Sequence, residues 1–215
     1  MPSPASINGT LAGVILAGGR SRRMGGAVKA LLPLAEKPLL RHVVDRVYPQ
    51  VDELLLSVEK TSEAFAAFHL PQLEDPKPDG GPLGGLLSAL KRIRTGLDWL
   101  LLVPCDAPFI PTDLAARLLA CAMKKARLAA VVSYRSEIQP TFSIWSRSVL
   151  PRLEHAVLEE GMAGLKQFLG GMEFAELNWP RSEPSPFFNI NDQDALRKAS
   201  RLIGSASGIT QPCST

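Results

Sequence analysis

The amino-acid sequence predicts an α/β protein with a mainly parallel β-sheet and helices on both of its faces. Short, continuously apolar segments alternate along the chain with longer segments whose apolar residues recur at helical spacing. Turns rich in Gly, Pro and Asp separate these segments. A series of this βαβ kind builds a parallel sheet that is covered by helices on both faces, which gives three layers.

Six segments have the composition of strands, being short runs rich in apolar residues. The first run, Leu11 to Ala17, ends at two glycines and predicts a buried strand. The later runs are Glu53 to Val58, Trp99 to Val103, Leu128 to Ser133, Thr141 to Trp145 and Glu173 to Leu177, the last of which could pair at a sheet edge.

Helices are predicted where apolar residues recur at helical spacing. Pro38 to Tyr48 has the clearest pattern, with one proline at its start and another just after its end. Thr61 and Thr112 are expected to cap their helices, and Leu73 to Pro82 is predicted to be a loop near a ligand. The remaining helices are Thr61 to Phe68, Leu83 to Ile93, Thr112 to Lys125, Ser146 to Glu159, Met162 to Leu169 and Asp192 to Ile203.

Length and composition predict one globular domain. Of the 215 residues, 46% are hydrophobic and 21% are charged, which is close to the average of globular proteins. We expect a single domain over 11–203, a flexible lead at 1–10 and a flexible tail at 204–215. A membrane span is not expected, because no segment approaches the run of about 20 apolar residues that crosses a bilayer.

Charge and cysteine content narrow the classes of partner. The net charge is only +3 and aromatic residues make up 6% of the chain, whereas nucleic-acid binders usually carry a basic stripe with stacking aromatics. Cys105, Cys121 and Cys213 form no CxxC pair, which argues against a disulfide framework and a zinc site. A small anionic ligand and a cytoplasmic location fit these features.

The main candidate site is the segment from Leu16 to Lys29, which follows the first predicted strand. Open α/β sheets bind ligands at the carboxyl ends of their strands. Gly18 and Gly19 let backbone N–H groups approach phosphate oxygens, and an arginine, which we assign to Arg23, can add charge-assisted hydrogen bonds together with Lys29. An ordinary connection with solvated arginines is the alternative, but four glycines and four basic residues here favour a triphosphate site.

Two common glycine loops do not match this segment. It lacks the G-x-G-x-x-G fingerprint of dinucleotide-binding folds, and Lys29 is not followed by Ser or Thr as in the phosphate loop G-x-x-x-x-G-K-[ST]. A dinucleotide site would also place an acid near the tip of the second strand, where this chain has Ser57 and Val58. A dehydrogenase is therefore disfavoured.

The same segment resembles the signature of the molybdenum cofactor guanylyltransferases, which begins L-A-G-G-x-S-x-R-M-G and continues to a lysine, here Lys29. The resemblance implies a three-layer Rossmann-like nucleotidyltransferase fold. It also implies that Leu16, Ala17, Gly18 and Gly19 wrap the triphosphate of GTP, with Lys29 on the phosphates.

The resemblance extends to two aspartates. Asp106, in P-C-D-A-P-F, matches the family's metal-binding aspartate and is our first choice for holding Mg²⁺. Its position alone is equally typical of a cap or turn aspartate. Asp75 matches an aspartate that contacts the nucleotide in the family, and Gly81 to Leu86 resembles the family's G-P-L-x-G-L element. Without the resemblance, Asp75 would be interpreted as a solvated loop acid.

Four residues resemble the acceptor side of the family's site. Gln139 and Pro140 match a segment that lines it, although alone they would indicate only the start of a strand. Asn189 and Asn191 match an N-x-N turn associated with the pterin substrate and the metal region, although Asn191 could equally cap the last helix.

Two residues depart from the family pattern. Val28 stands where the family often has an aspartate before the loop lysine. Ser57, which we assign to nucleotide binding, stands where an asparagine is often found close to the guanine. The recognition of the base is therefore the point at which this chain could differ.

The function implied by the resemblance is transfer of GMP from GTP to the terminal phosphate of molybdenum-molybdopterin, with release of pyrophosphate. Lys29, Arg23 and Asp106 with Mg²⁺ would be the catalytic groups, because the barrier is the meeting of two anions. GTP and molybdenum-molybdopterin would be the substrates, and proteins of molybdenum insertion and molybdoenzyme maturation would be further partners.

Three rival functions remain open from the sequence. A cytidylyltransferase for the same cofactor and a transferase making nucleotide sugars use similar loops, but the cytidine branch tends towards L-A-A-G, whereas Gly18 and Gly19 follow Ala17 here. A non-catalytic nucleotide-binding regulatory module ranks lower, because mere binding has less need of a metal carboxylate such as Asp106.

Overall fold

The computed structural model describes residues 11–18, 28–76 and 80–207. Its strands are β1 Leu11–Leu16, β2 Pro33–Leu34, β3 Lys37–Pro38, β4 Glu53–Val58, β5 Gln72–Glu74, β6 Trp99–Pro104, β7 Ala129–Tyr134, β8 Glu137–Ser146 and β9 Ala175–Asn178. Its α-helices are α1 Leu39–Val47, α2 Gly81–Arg92, α3 Leu114–Lys124, α4 Leu150–Leu158, α5 Leu165–Gly170 and α6 Gln193–Ser207.

Seven strands form one sheet in the order β5-β4-β1-β6-β8-β7-β9, and β2 pairs with β3 in a small ribbon. Every pairing in the large sheet is parallel except those that β8 makes with β6 and β7. The predicted mainly parallel sheet is therefore confirmed. β8 runs the other way because a two-residue turn at Arg135 and Ser136, both with positive φ, joins it to β7 as a hairpin.

The sheet separates two apolar cores, because successive side chains of a strand point to opposite faces. In β1, Leu11 and Ile15 pack with α1 and α3 on one face, whereas Ala12 and Val14 pack with α2, α4 and α5 on the other. Each fully buried Leu or Ile contributes about 1.5–3 kcal/mol. This alternation confirms the prediction of helices on both faces and fixes the register of the central strands.

The predicted helix from Thr61 to Phe68 is instead a 3₁₀ helix over Glu63–Phe68. Ser62 caps it, since its side chain accepts a hydrogen bond from the N–H of Ala64. The prediction that Thr61 caps this helix is wrong, because both the N–H and the hydroxyl of Thr61 donate to the Glu74 carboxylate.

Other boundaries also differ from the prediction. The expected loop from Leu73 to Pro82 contains most of β5 and the start of α2, because the β4 edge offers β5 a parallel partner. Helix α3 begins at Leu114 without a side-chain cap, so the prediction for Thr112 is wrong. The segment predicted as one helix from Ser146 to Glu159 begins with a 3₁₀ turn, and α4 starts at Leu150.

The carboxyl-terminal elements are displaced by a few residues. β8 and α5 differ in length from their predicted segments, while β9 pairs only with β7 in the described sheet and so forms the expected edge. α6 continues to Ser207, which makes the first part of the predicted tail helical. The division into lead, domain and tail stays a prediction, because 1–10 and 208–215 lie outside the described residues.

Candidate active site

The predicted site residues converge on the carboxyl edge of the central strands. Leu16, at the end of β1, pairs with Ser57 on one side and with Pro104 on the other. The chain after each of these strands therefore emerges at one edge of the sheet. Gly19 and Arg23 belong to residues 19–27, which lie outside the described residues, so their predicted contacts with a triphosphate stay predictions.

The start of the glycine loop is hydrogen bonded to β4. The N–H groups of Ala17 and Gly18 both donate to the carbonyl oxygen of Ser57, at 2.8 and 3.0 Å. A Cβ on Gly18 would lie 3.3 Å from the backbone nitrogen of Glu59, so the glycine permits this close approach. The hydrogen-bond partner of the Gly18 N–H differs from our prediction, since this group donates to the Ser57 carbonyl oxygen rather than facing a phosphate.

Lys29, Asp106 and Asn191 form a polar cluster that we call the charged end of the site. The ammonium of Lys29 donates to Oδ2 of Asp106 and, at 2.8 Å, to Oδ1 of Asn191. The side chains of Lys29 and Asp106 are 19% and 13% exposed. At this depth an ion pair is only weakly screened by solvent, so the Asp106 carboxylate holds the Lys29 ammonium at the carboxyl edge.

Backbone hydrogen bonds hold this cluster together. The N–H of Cys105 donates to the carbonyl oxygen of Leu16 at 3.0 Å, and the N–H of Ile190 donates to the carbonyl oxygen of Asp106 at 2.9 Å. The first bond ties β6 to β1, and the second brings the carboxyl-terminal turn onto the same edge. The turn is placed beside Asp106 although it lies far away in the sequence.

An aromatic cluster anchors the segment that leads into this turn. The ring of Phe187 contacts the rings of Tyr134, Phe142 and Trp179, at centroid distances of 5.6, 4.9 and 5.4 Å. Such edge-on pairs contribute about 0.5–1.5 kcal/mol each beyond the area that they bury. This anchor was not predicted from the sequence, although the aromatic residues Phe187 and Phe188 just before the N-x-N turn were a signal for it.

The alternative role of Asn191 as a helix cap is not realised. Oδ1 of Asp192 accepts a hydrogen bond from the N–H of Ala195 at 2.8 Å, so Asp192 caps the last helix. This leaves the side chain of Asn191 for Lys29, a pairing that the sequence analysis did not foresee.

The charged end fits a divalent cation. Within residues 11–18, 28–76 and 80–207, the buried oxygens Oδ1 of Asp106 and Oδ1 of Asn189 have no hydrogen-bond partner, and burying such an atom unpaired is costly. Carboxylate and amide oxygens are the ligands that Mg²⁺ prefers. The described part of the chain has no group of three or more His, Cys, Asp or Glu residues placed for a metal.

Cys105 precedes Asp106, but its thiol has a pKa too high for it to react readily as a thiolate. Burial, and then the adjacent Asp106 carboxylate, raise the pKa of the Cys105 thiol to about 12. The thiol therefore stays protonated near neutral pH, which is unfavourable for a nucleophile, because the thiolate is the reactive form. Cys105 is 8% exposed and packs as a small apolar residue, as buried cysteines usually do.

Ser57, Asp75 and Gly85 form a second cluster, which we call the fitted end of the site. The hydroxyl of Ser57 donates to Oδ1 of Asp75 at 3.4 Å. A Cβ on Gly85 would lie only 2.5 Å from Oγ of Ser57, so the second turn of α2 packs directly on this serine. Burial raises the pKa of the Asp75 carboxyl, and the charge of Glu59 adds to this effect.

Gln139 and Pro140 lie where β8 approaches the carboxyl end of β6. Leu102 of β6 pairs with Ser143, and because the two strands are antiparallel the residues before Ser143 extend towards Asp106. Ser143 pairs with Val131 and Gln139 pairs with Val132, so the three residues between them bulge out of the ladder. The structure thus brings Gln139 and Pro140 to the same edge as the charged end.

The chain is similar in sequence to a known family of nucleotidyltransferases. Residues 13–176 match the family model of the MobA-like NTP transferase domain. The chain is 36% identical over 208 residues to the molybdenum cofactor guanylyltransferase of Mesorhizobium japonicum, which covers 91% of this chain and 97% of that protein.

Solved structures show the same fold at low sequence identity. Molybdopterin-guanine dinucleotide biosynthesis protein A from Archaeoglobus fulgidus has a TM-score of 0.76 at 20% identity, covering 91% of this chain and 100% of that one. A Mycobacterium tuberculosis protein in complex with manganese has a TM-score of 0.64 at 21% identity, covering 90% and 99%. Every helix described here is too short or too polar to cross a membrane.

Proposed function

Because this chain belongs to the molybdenum cofactor guanylyltransferases, within the family of MobA-like NTP transferase domains, we propose that its carboxyl-edge site transfers GMP from GTP to molybdopterin. The chain is a nucleotidyltransferase of molybdenum cofactor biosynthesis. The observation that carries the assignment of the site is the cluster of Lys29, Asp106 and Asn191 at the end of β6.

In the proposed reaction, an oxygen of the terminal phosphate of molybdenum-molybdopterin forms a bond to the α-phosphorus of GTP. The bond between that phosphorus and the oxygen bridging to the β-phosphate breaks, and pyrophosphate leaves with the electron pair. A general base is not needed, because a phosphate monoester has a second pKa of about 6 and is mostly a dianion near neutral pH.

Lys29 is the residue that we assign to the reacting phosphates. Two anions must approach each other, and negative charge accumulates on the departing pyrophosphate, so the barrier falls where fixed positive charge lies close. The ammonium of Lys29 already lies at the carboxyl edge, held by Asp106 and Asn191. Arg23, outside the described residues, is proposed to add a second positive charge.

Asp106 would hold Mg²⁺, through the buried oxygen Oδ1 for which the described residues supply no partner. The amide oxygen of Asn189, which is also buried without a hydrogen-bond partner among the described residues, is a further donor that we propose for this end. Bound Mg²⁺ would supply positive charge to the triphosphate. The other oxygen of this carboxylate, Oδ2, accepts the hydrogen bond from the Lys29 ammonium.

Asp75 is proposed to bind the guanosine part of GTP at the fitted end. An ionised carboxylate only accepts hydrogen bonds, and the edge of guanine carries adjacent N–H donors, whereas cytosine offers one amino group beside acceptors. The half-buried Asp75 therefore favours guanine. Leu16, Ala17 and Gly18 would form the adjoining wall, which supports GTP over the cytidylyl alternative.

Gln139, Pro140 and Asn189 are proposed for the acceptor side. Gln139 and Pro140 lie across β6 from the nucleotide end, since β8 and β1 flank β6 on opposite sides. An acceptor placed over β8 would bring its phosphate to the charged end between the two halves of the sheet. Proteins of molybdenum insertion and molybdoenzyme maturation are proposed as later partners, and the cytoplasm as the location.

The experiment that tests this function supplies Mg²⁺, molybdenum-loaded molybdopterin and GTP, CTP or ATP in turn, and measures pyrophosphate release. We expect release with GTP, and much less with CTP or ATP. Release with CTP alone would contradict guanylyl transfer and favour the cytidylyl alternative. Binding of GTP without release would favour the non-catalytic module.

A further inference from the structure

Ser57 lies where three predicted nucleotide-binding segments meet. Its side chain is buried, with the residue only 2% exposed. Its carbonyl oxygen accepts hydrogen bonds from the N–H groups of Ala17 and Gly18, and its hydroxyl donates to Oδ1 of Asp75 at 3.4 Å. Because Ser57 is inaccessible and both its carbonyl and its hydroxyl are already hydrogen bonded, it holds neighbouring residues in place rather than contacting a ligand.

The amino-terminal half of α2 packs over the Ser57 hydroxyl. A Cβ on Gly85 would lie 2.5 Å from Oγ of Ser57 and 2.6 Å from Cδ2 of Leu16, and a Cβ on Gly84 would lie 3.4 Å from Cγ of Asp75. Two glycines therefore let the helix press on both members of the pair. This packing leaves the hydroxyl little space to turn away from the Asp75 carboxylate.

Asp75 depends on Ser57 for the direction of its side chain. The backbone beside it is fixed by the hydroxyl of Ser88, which donates to the carbonyl oxygen of Glu74 at 2.8 Å. The hydrogen bond from Ser57 lowers the pKa of the Asp75 carboxyl, against the larger raising effect of burial. Ser57 thus favours the ionised form of Asp75, which is the form that only accepts hydrogen bonds.

We propose that Ser57 is a positioning residue that sets nucleotide affinity by orienting the Asp75 carboxylate, without touching the nucleotide itself. The inference rests on the proposed function, because it takes Asp75 to accept hydrogen bonds from GTP. Ser57 in β4 lies two strands away from Pro104 in β6, which is roughly 10 Å. At that distance from the charged end, Ser57 affects the binding of GTP and not the turnover of bound GTP.

A double-mutant cycle tests this inference. Ser57→Ala, Asp75→Asn and the double variant are compared by the Kd for GTP in calorimetry and by KM and kcat for GMP transfer. The alanine keeps the backbone carbonyl that binds Ala17 and Gly18, so only the hydroxyl is removed. We expect Ser57→Ala to raise Kd and KM about three- to tenfold, which is the range of a single hydrogen bond, and to change kcat less than about twofold.

The double variant decides between an indirect and a direct role. If Ser57 acts through Asp75, the double variant binds GTP no more weakly than Asp75→Asn alone. If the two effects multiply, Ser57 contacts the nucleotide directly and the inference is overturned. An unchanged Kd in Ser57→Ala overturns it as well.

Ser200→Ala is the matched control, because it also removes one hydroxyl, which donates to the carbonyl oxygen of Leu196 within α6. We expect its Kd, KM and kcat to equal those of the unmodified protein. Thermal unfolding of each variant shows that it is folded. If the unmodified protein neither binds GTP nor transfers GMP, the proposed function fails. If it does both and the Ser57 and Asp75 effects multiply, only this inference fails.

Discussion

The charged end and the fitted end of the site recognise a ligand by different physical means. The charged end joins Lys29, Asp106 and Asn191 from three distant parts of the chain through charge-assisted hydrogen bonds. The fitted end joins Ser57 and Asp75 through one long hydrogen bond and close packing against Gly85. In the proposed function, charge acts on the reacting phosphates, whereas close packing helps to determine which nucleoside is held. Changes at the two ends should therefore affect different kinetic constants.

The largest effect is expected for Lys29→Ala. Removing the ammonium takes away charge that stabilises the transition state, and by analogy with lost oxyanion donors turnover should fall by ~10² to 10³. The fall should appear in kcat measured by steady-state kinetics. Lys37→Ala is the matched control, because Lys37 is exposed and pairs with Asp45. Near-normal turnover in folded Lys29→Ala would refute the catalytic assignment.

Asn191→Ala should have the next largest effect. It removes the amide oxygen that accepts from Lys29 at 2.8 Å, and a hydrogen bond to a charged group contributes about 1.5–3 kcal/mol. We expect kcat to fall roughly tenfold or more. Asn178→Ala, at the end of the edge strand β9, is the control. If Asn191→Ala raised only the KM for molybdopterin, Asn191 would serve the acceptor rather than Lys29.

Gly85→Ala should damage the fitted end through packing. The new Cβ would meet Oγ of Ser57 and Cδ2 of Leu16, and overpacking of this kind costs about 1–3 kcal/mol. Tm should therefore fall by roughly 2–12 °C, and KM for GTP should rise. Gly170→Ala is the control, since a Cβ there meets nothing within 4 Å. Equal Tm values for the two variants would show that the site accommodates a Cβ at Gly85 without a loss of stability.

The smallest effect is a pH dependence of GTP binding. Burial raises the pKa of the Asp75 carboxyl, so this group gains a proton at a higher pH than an ordinary aspartate does. The protonated form accepts hydrogen bonds poorly, and Kd for GTP should therefore rise a few-fold as pH falls from about 7 to 5. Calorimetry should show a flatter dependence for Asp75→Asn. Identical profiles would exclude Asp75 as the titrating group.

The parts of the fold that depend on local pattern could be predicted from the sequence. The apolar run after Leu11 and the glycines that end it indicate β1, and Asp106 directly after β6 indicates an acid at the carboxyl edge. Helix starts were less predictable. Thr61 and Ser62 are both ordinary caps by type, and only the position of Glu74 across the fold decides between them.

The contacts that complete the site could not be predicted from local pattern. Lys29 and Asn191 are 162 residues apart, and their contact depends on the aromatic cluster around Phe187 and on the path of the last turn. The direction of β8 likewise follows from a hairpin at Arg135 and Ser136. Sequence motifs therefore indicated which residues matter, and tertiary packing determines which of them meet.

The most direct test of the account follows the phosphorus atoms of GTP. The protein is incubated with Mg²⁺, molybdenum-loaded molybdopterin and GTP carrying ³²P in either the α or the γ position, and the products are separated. Transfer of GMP predicts that the α label appears in the molybdopterin product and that the γ label appears in pyrophosphate. Recovery of the γ label in the molybdopterin product, or of neither label outside GTP, would contradict the account.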